Sequence, residues 1–422
     1  MSLLKCPTDL NLINDDMSIG DVIRAIVNEG PHEDPIHVLD LDDVVCKHKS
    51  WCDEMPRVTP FYAVKCNNDP RILKIMVKLG LGFDCASKVE LERMLDFGVE
   101  PERIIFAQPA KSIPALLYAR SKQVSVMTFD GEIELEKIHQ YYPEAQLVLR
   151  IRHDSVKVRC SMGKKFGCDP INEAPTLLRQ AAKLSMNVVG VSFYVGSDCD
   201  EHEVYYNAVK IGRDLFDYAK SIGLKFSLLD IGGGFPGDND KPIHPYAKAI
   251  NRAIDHFFPI EDNVRIIAEP GRYYVASAIT LVSFVHSKRI AVERQDDGTK
   301  RKWIHYYLND GIYGSFYSTA YEAQEAIPIV HRKTGAKEYN SSVWGPTCDS
   351  VDVILPDIVL PELDIGDSVL FENLGAYGIV RGAAFNGFQL PKVIAYLRKG
   401  TWNTIHNLTA SSPFNGDHMS LV

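Results

Sequence analysis

The chain has 422 residues, of which 45% are hydrophobic and 24% charged, and its formal net charge is -9. This length predicts two or three domains with sizeable cores; the negative charge argues against nucleic acid or an anionic membrane as the main partner, and the sequence shows neither a signal peptide nor a membrane-spanning stretch. The nine cysteines form no CxxC pairs and have no histidines at zinc spacing, which argues against a disulfide framework or a metal site and favours a reducing, cytoplasmic setting.

From about residue 37 the chain alternates short β-rich runs with amphipathic helical segments such as DPRILKIMVKLG and GEIELEKIHQYYP. The predicted strands end near Lys65, Asp84, Gln108, Asp130, Arg152, Tyr194, Asp230 and Glu269. Eight mostly apolar strands with helices between them are typical of a parallel (β/α)8 barrel, whose sheet is buried on both faces. We therefore predict an α/β fold with a TIM-like barrel over residues 37–275.

The sequence pattern changes after Arg272. The segments ITLVSFVHSKRIAVE, KWIHYYLND, VILPDIVL and DSVLFEN have the character of strands, without long helices between them, and Gly, Pro and Asp turns separate them. This pattern predicts a C-terminal antiparallel β domain, built from residues 276–422 together with residues 1–36. We expect the early run HVLDLDD to contribute a strand to it.

Polar residues stand at the predicted strand ends, which face the catalytic mouth of a parallel α/β barrel. They are Lys65, Asp84, Arg150, Arg152, Tyr194, Ser197, Gly232, Gly233, Gly234, Glu269 and Arg272. Taken singly, most have ordinary explanations, because a lysine at a strand end commonly reaches the surface and a carboxylate beside an arginine forms an ion pair. Three consecutive glycines are harder to explain, since they cost backbone entropy and bury nothing, yet they allow the close backbone approach that a phosphate requires.

A lysine amine, a glycine turn and a carboxylate in one barrel mouth have a specific chemical meaning together. They are the groups that hold pyridoxal phosphate: the lysine forms a Schiff base, glycine amides bind the phosphate, and the carboxylate keeps the pyridine nitrogen protonated so that the ring accepts electrons. The ordered combination is a much stronger signal than the glycine run alone.

The chain resembles the eukaryotic ornithine decarboxylases, which belong to the alanine-racemase-like (fold-type III) group of pyridoxal phosphate enzymes. The match extends over nearly the whole chain through PFYAVKCN, GFDCAS, LLDIGGGFPG, AEPGRYYV, NDGIYGSF, WGPTCDSVD and FENLGAYG. The resemblance implies that Lys65 forms the Schiff base, that Glu269 pairs with the pyridine nitrogen and that Glu90 supports the site. It implies further cofactor contacts from Asp84, Arg150, Tyr194, Ser197, Gly232, Gly233, Gly234, Gly271, Arg272 and Tyr377.

The resemblance also implies a head-to-tail homodimer whose active sites are shared between subunits. The β domain of one subunit would deliver Cys348 and Asp349 of WGPTCD to the barrel of the other. There Cys348 would protonate the Cα carbanion after carbon dioxide leaves, and Asp349 would bind the distal amine of the substrate. Lys165 and Asp352 match an ion pair that joins the subunits in the family.

Two positions depart from the family pattern. Tyr194 stands where the family has the histidine that stacks on the cofactor ring, so an aromatic face is kept but a positive charge is lost. Glu322, which follows Tyr321 in YEAQ, stands where the family has the aspartate that joins Asp349 in binding the distal amine. The extra methylene of Glu322 changes the depth of the pocket that Tyr321, Glu322 and Asp349 would form.

Three functions are consistent with this sequence. The first is the pyridoxal phosphate-dependent decarboxylation of L-ornithine to putrescine and carbon dioxide, a step of polyamine biosynthesis. Glu322 leaves open a decarboxylase of lysine, arginine or another basic amino acid. A non-catalytic relative that binds the protein antizyme, as the family's antizyme inhibitors do, ranks last, because such inhibitors lose cofactor-holding residues that this chain keeps. Antizyme binding itself stays open, since the region corresponding to the family's antizyme surface, residues 113–140, offers only scattered basic groups: Arg120, Lys122 and Lys137.

Overall fold

The computed structural model describes residues 10–153, 163–294, 300–322, 324–330 and 337–408. In chain order the strands within these ranges are β1 (Leu10–Ile13), β2 (Ile36–Asp40), β3 (Val58–Ala63), β4 (Gly82–Cys85), β5 (Ile104–Phe106), β6 (Val126–Phe129), β7 (Gln146–Arg152), β8 (Asn187–Tyr194), β9 (Leu228–Asp230), β10 (Arg265–Ala268), β11 (Ile279–Arg294), β12 (Lys300–Leu308), β13 (Ile329–Val330), β14 (Glu338–Trp344), β15 (Val353–Pro361), β16 (Ser368–Phe371) and β17 (Lys392–Arg398). The helices are α1 (Ile19–Asn28), α2 (Leu41–Glu54), α3 (Pro70–Leu79), α4 (Lys88–Asp96), α5 (Ile113–Ser121), α6 (Glu132–Tyr141), α7 (Ala174–Lys183), α8 (Glu203–Ser221), α9 (His244–Phe257), α10 (Arg272–Val275), α11 (Tyr317–Glu322) and α12 (Lys399–Asn407).

The described residues divide into two compact units. The first contains residues 45–274 and 407–408, and the second contains residues 10–44 and 275–406, each with the gaps given above. Each unit has its own sheet and its own apolar core. Among the described helices, none combines the length and the apolar character that a membrane span requires.

A closed parallel barrel forms the centre of the first unit. Its strands follow one another in the order β10-β3-β4-β5-β6-β7-β8-β9, and each neighbouring pair is parallel. Apolar side chains from several of these strands pack into one cluster, which consists of Phe61, Ile105, Ala107, Val148, Val189, Leu228 and Ile267. This closed parallel barrel confirms the predicted α/β fold with a (β/α)8 barrel. In such a barrel the polar residues at the carboxyl ends of the strands lie at one mouth.

The strand that leads to Lys65 is shorter than its sequence predicts. β3 ends at Ala63, and Val64–Cys66 form a 3-10 turn that carries Lys65. The hydroxyl of Tyr62 donates a hydrogen bond to the carbonyl oxygen of Asn67 over 2.9 Å, which ties the turn to the strand before it. The apolar pattern of FYAVK does not reveal this turn, because the residue before the lysine is buried in the turn as it would be in a strand.

A nine-stranded sheet organises the second unit. Its main path is β1-β17-β2-β11-β12-β14-β15, and β16 pairs with β11 and β13 beside this path. The pairs of β11 with β2, β12 and β16 are antiparallel, as is β14 with β15, whereas β1–β17, β17–β2 and β12–β14 are parallel. The sheet includes the early strand and the four C-terminal strands that the sequence predicts. It also includes β1, β13, β14 and β17, which the sequence analysis did not identify.

Candidate active site

Lys65 and Asp84 form an ion pair at the carboxyl ends of two neighbouring barrel strands. Nζ of Lys65 donates to Oδ2 of Asp84, a residue of β4 that is fully buried. The other oxygen of Asp84, Oδ1, is also buried and meets no hydrogen-bond partner among the described residues. The lysine side chain is 43% exposed. Its amine is therefore held by an acid and still accessible from the mouth of the barrel.

Competing effects set the charge of Lys65. Desolvation by the surrounding protein lowers the pKa of the amine, but the negative charges of Asp84 and Glu269 raise it. The acids outweigh desolvation, and the pKa of Lys65 lies above the ordinary lysine value. At neutral pH the amine is therefore an ammonium ion in the absence of a bound molecule.

The three glycines after β9 form a turn that has no room for side chains on these residues. A Cβ atom on Gly232 would lie 2.1 Å from the carbonyl oxygen of Phe193, and a Cβ atom on Gly234 would lie 2.5 Å from the carbonyl oxygen of Gly196. Both glycines also have positive φ angles, +64° and +103° respectively, which residues with a Cβ disfavour. No side chain of the turn itself therefore covers this backbone, as close approach of an anionic group requires.

Asp230 shapes the glycine turn. It is the last residue of β9 and is fully buried, and its Oδ1 accepts the N–H of Gly232 over 2.8 Å. The carbonyl oxygen of Gly232 in turn accepts the N–H of Glu269 over 2.6 Å. Asp230 was not among the site residues predicted from the sequence. Its position directly before the three glycines was the signal that could have identified it.

The side chains of Asp230 and Glu269 form a buried pair of acids. The two carboxyl groups lie within hydrogen-bonding reach of each other, yet Oδ2 of Asp230 meets no donor among the residues that the structure describes. Burial, reinforced by the charge of Asp230, raises the pKa of Glu269 well above its ordinary range, and burial also raises the pKa of Asp230 to about 7. Because two such carboxylates repel each other, the pair keeps a proton near neutral pH.

Tyr194 contacts two other predicted site residues. The guanidinium carbon of Arg150 lies 5.8 Å from the centre of the Tyr194 ring, and Ser197 lies close enough to the Tyr194 hydroxyl to lower its pKa, against the effect of burial. Burial raises the pKa of Tyr194 to about 12, so the phenol is neutral. An uncharged aromatic ring therefore ends β8, at the position where the family has a histidine.

Gly271, Arg272 and Glu90 complete the predicted set in the first unit. A Cβ atom on Gly271 would lie 2.9 Å from Cβ of Cys66, so the chain after β10 packs closely on the turn that carries Lys65. Arg272 is buried and begins α10. Oε2 of Glu90 accepts a backbone N–H of the preceding loop over 2.6 Å, and burial raises the pKa of this acid. The first unit thus brings together Lys65, Asp84, Glu90, Arg150, Tyr194, Ser197, Gly232, Gly233, Gly234, Glu269, Gly271 and Arg272.

Two predicted catalytic-site residues lie in the loop between β14 and β15 of the second unit. Cys348 is exposed, and its N–H donates to Oδ1 of Asn386 over 3.0 Å. Asp349 accepts a hydrogen bond from the hydroxyl of Tyr313, which lowers the pKa of Asp349. The thiol is therefore open to solvent in the single chain, while the acid beside it is held in its charged form.

Of the other three predicted residues of the second unit, Glu322 and Tyr377 contact one arginine. Tyr321 and Glu322 end α11, and Glu322 forms an ion pair with Arg381. The guanidinium of Arg381 also lies 4.9 Å from the centre of the Tyr377 ring. Tyr377 has a positive φ of +57°, which is rare for a residue with a side chain. Arg381 was not predicted from the sequence, because the residues around it give no sign of a contact with α11.

Asp352, for which the sequence predicts an ion pair with Lys165 of another subunit, is buried within the second unit. Its Oδ1 accepts the N–H of Ile312 over 2.9 Å, and its Oδ2 accepts the N–H of Thr347 over 3.0 Å. Lys165, in the first unit, is exposed. An ion pair between subunits at these residues stays a prediction.

The mouth of the barrel fits pyridoxal phosphate on three observations. Lys65 presents an accessible amine, which suits the cofactor's aldehyde. The turn at residues 232–234 excludes side chains, which suits a phosphate. Asp84 and Asp230 have buried oxygens that meet no donor among the described residues, so a bound ring with a polar nitrogen or hydroxyl could satisfy them.

Comparison with known proteins indicates the same cofactor. Residues 41–276 match the family model of the pyridoxal binding domain of pyridoxal-dependent decarboxylases. Over 411 residues the chain is 44% identical to antizyme inhibitor 2 of Xenopus laevis, and the alignment covers 95% of this chain and 90% of the Xenopus protein. Over 419 residues it is 41% identical to ornithine decarboxylase of Rattus norvegicus, and this alignment covers 96% of this chain and 91% of the rat protein.

A solved structure agrees with these matches. The arginine decarboxylase of Paramecium bursaria Chlorella virus, bound to agmatine, superimposes with a TM-score of 0.83 at 38% identity, covering 89% of this chain and 100% of the viral chain. The family model spans more than half of the chain, and the relatives span nearly all of it. Pyridoxal phosphate is thus the cofactor of this protein, and the chain belongs to the family of pyridoxal-dependent decarboxylases.

Proposed function

We propose that this protein decarboxylates L-ornithine to putrescine and carbon dioxide and so serves polyamine biosynthesis. The observation that carries the proposal is the accessible amine of Lys65, which forms an ion pair with Asp84. The negative charge of Glu269, one of the two buried acids that share a proton, also acts on this amine. The 41% identity to the rat ornithine decarboxylase over 96% of this chain supports ornithine as the substrate.

In this proposal the first unit holds the cofactor. Lys65 would link to it, Tyr194 would offer its ring an aromatic face, and Glu269 would supply the proton of its buried acid pair to the pyridine nitrogen. When bound, pyridoxal phosphate supplies an electron-poor ring that accepts the electron pair left behind as carbon dioxide departs. The remaining proposed contacts from the first unit are those of Asp84, Arg150, Ser197, Gly232, Gly233, Gly234, Gly271 and Arg272, and Tyr377 of the second unit is proposed to add one more.

The second unit is proposed to complete the chemistry. Cys348 returns a proton from its thiol to Cα, which its exposure in the single chain permits. Tyr321, Glu322 and Asp349 line the pocket for the substrate's distal ammonium. The charged form of Asp349, which the Tyr313 hydrogen bond favours, suits this role.

We further propose that the active site is shared across a homodimer. The face that carries Cys348 has several exposed apolar side chains, which a partner subunit would cover. Phe385, which packs on Tyr313 at 4.7 Å between ring centres, is 42% exposed, and Val351 is 54% exposed. Aromatic residues are enriched where proteins associate.

A basic amino acid other than ornithine is the second candidate. The similarity to a viral arginine decarboxylase and the presence of Glu322 support it. Asp349 suits an ammonium, and nothing about this single acid favours the planar fork of a guanidinium, so ornithine ranks above arginine.

A non-catalytic, antizyme-binding protein is the third candidate. The 44% identity to antizyme inhibitor 2 of Xenopus laevis supports it and makes antizyme a proposed partner. Against it stands the intact barrel mouth, in which Lys65, Asp84 and Glu269 remain together. A protein that had lost catalysis would have no need of these residues.

Two further proposals concern organisation and location. We place the domain boundaries near the limits of the two compact units, so that the barrel domain begins close to Val45 rather than at residue 37. We propose a cytoplasmic location, which is supported by the reduced thiols of the seven cysteines in the described ranges.

The deciding experiment is to measure carbon dioxide release from L-ornithine, L-lysine and L-arginine side by side, with an absorbance scan of the purified protein for lysine-linked pyridoxal phosphate. We expect ornithine to have the highest kcat/KM. Higher kcat/KM on lysine or arginine would replace ornithine with that substrate. Bound cofactor without release of carbon dioxide from any of the three would favour the antizyme-binding candidate.

A further inference from the structure

Arg381 and Glu322 form an ion pair in the second unit, between the 3-10 turn Ile379–Arg381 and the end of α11. Nη1 of Arg381 donates to Oε1 of Glu322, and the hydroxyl of Ser318 donates to Oε2 over 3.2 Å. The side chains are partly buried, with 14% of Glu322 and 34% of Arg381 exposed. The acid that the proposed function assigns to the substrate's distal ammonium therefore already has a cation bound to it.

Two tyrosine rings restrain Arg381. Its guanidinium carbon lies 4.8 Å from the centre of the Tyr317 ring and 4.9 Å from the centre of the Tyr377 ring. At such distances the face of an aromatic ring attracts a cation. The planar guanidinium is thus held by stacking and by an ion pair at once, which a flexible surface side chain would not be. Arg381 contacts both Glu322 and Tyr377, which the proposed function assigns to substrate and cofactor.

The two acids assigned to the distal ammonium differ in their net charge. Asp349 accepts hydrogen bonds from neutral donors, the hydroxyl of Tyr313 and the N–H of Val351 at 3.2 Å, and so keeps its full negative charge. Glu322 is compensated by the guanidinium of Arg381. A distal ammonium that approaches Glu322 meets a neutral pair and must compete with a guanidinium for the same carboxylate.

We propose that Arg381 is a specificity-determining residue, which weakens the preference of this site for a distal ammonium by neutralising Glu322. The inference rests on the proposed function, because it requires Glu322 to face the distal group of the substrate. It follows that the net charge of the pair Glu322–Arg381 sets how strongly the site prefers a diamine to the matching monoamine.

The test is the equilibrium binding of putrescine and of butylamine to the cofactor-loaded protein, measured by isothermal titration calorimetry. Four proteins are compared: the unmodified protein, Arg381→Met, Glu322→Gln and the double variant, in which the new side chains keep most of the original size. The preference for putrescine should rise about three- to tenfold in Arg381→Met, where the guanidinium beside the acid is removed, and fall by a similar factor in Glu322→Gln. The double variant should lie between the two single ones.

Lys302→Met is the matched control. Lys302 also forms an ion pair, with Glu362 at 3.3 Å, and it also lies over a tyrosine, 4.0 Å from the ring centre of Tyr339. Its replacement should leave the preference for putrescine unchanged. Circular dichroism and thermal unfolding of each variant show whether it is folded, and Arg381→Gln provides a second neutral replacement if the methionine variant is not.

Two results would overturn the inference, and they differ in what they say of the proposed function. If putrescine is preferred but the preference is the same in all four proteins, Arg381 does not determine specificity and the proposed function stands. If none of the proteins prefers putrescine, Arg381→Met included, the diamino-acid substrate is wrong and the inference falls with it.

Discussion

The N–H of Glu269 donates to the carbonyl oxygen of Gly232 over 2.6 Å, so the glycine turn and the acid after β10 are fixed to each other through the backbone. The same glycine donates its own N–H to the side chain of Asp230 over 2.8 Å. The part of the site that suits a phosphate and the part that suits a ring nitrogen therefore share one hydrogen-bonded frame.

Gly232→Ala should impair cofactor binding severely. The added Cβ would lie 2.1 Å from the carbonyl oxygen of Phe193, and the φ of +64° disfavours alanine, so the turn must move. The measurement is the pyridoxal phosphate dissociation constant by fluorescence titration. Gly223→Ala is the control: its φ is +86° but its Cβ meets nothing within 4 Å, so it should cost about 1–2 kcal/mol of stability and leave cofactor binding intact. Equal cofactor affinities in the two variants would contradict the assignment of this turn.

Lys65→Ala should lower turnover by orders of magnitude, because the amine that is proposed to link to the cofactor is lost. The absorbance band of the lysine-linked cofactor should be absent from the purified variant. Lys88→Ala removes a lysine that pairs with Glu92 on the surface of α4, and it should behave as the unmodified protein does. Turnover close to the unmodified value in Lys65→Ala would refute the role of this lysine.

The contribution of Asp230 to the stability of the cofactor-free protein should fall as the pH rises from about 4 to about 7. Burial raises the pKa of Asp230 to about 7 from the ordinary aspartate value of 3.8. At this residue the folded protein therefore binds more protons than the unfolded chain across this range, and the contribution of Asp230 to the free energy of unfolding should decrease by up to about 1.4 kcal/mol per pH unit. Urea unfolding at a series of pH values measures the slope.

Asp230→Asn should flatten that pH dependence. The asparagine keeps an oxygen for the N–H of Gly232 but removes the buried acid. It should also shift the titration of Glu269 toward lower pH, because the neighbouring negative charge is gone. An unchanged slope in this variant would show that other groups titrate in this range.

Mixing two inactive variants tests the shared active site. Lys65→Ala and Cys348→Ala subunits should each be severely impaired alone. If the two residues act from opposite subunits, a mixed dimer has one site with both groups intact, and activity should recover toward about a quarter of the unmodified value for random exchange between equal pools. Subunit exchange is followed independently by mass spectrometry. Exchange without recovery would mean that each site is built within one chain.

Glu322→Asp should improve the use of ornithine relative to lysine. Glutamate is longer than aspartate by one methylene, a difference worth about 1–3 kcal/mol in discrimination. The unmodified protein should therefore have a raised KM for ornithine and measurable activity on lysine. Steady-state kinetics on both substrates measure the ratio, and a ratio that moves toward lysine in the variant would reverse this interpretation of the pocket.

The barrel could be predicted because its signals are local. Each strand is a short apolar run flanked by helical segments, and residues such as Asp84 and Glu269 follow directly from where those runs stop. The turn at Lys65 could not be predicted, because a buried 3-10 turn and a buried strand end have the same apolar pattern over three residues.

The contacts that join distant segments were beyond prediction. Glu322 and Arg381 are separated by 59 residues, and no periodicity relates a short helix to a turn at that distance. The contact of Asp230 with Glu269 depends on the pairing of β9 with β10, two strands that the helix α9 separates in the sequence. β17 was missed for a related reason: its pairing with β1 and β2 from the opposite end of the chain is what defines it as part of the sheet.

The loop that carries Cys348 is anchored at two consecutive residues within the single chain. Asp352 accepts the N–H of Thr347 on one side of the thiol, and Asn386 accepts the N–H of Cys348 itself. Association usually costs about 0.5–1.5 kcal/mol for each flexible side chain that must be immobilised at an interface. Because this backbone is already ordered in the isolated chain, little conformational entropy is left to lose there. The geometry of proton return would thus be set during folding, and dimer formation would only have to bring it to the substrate.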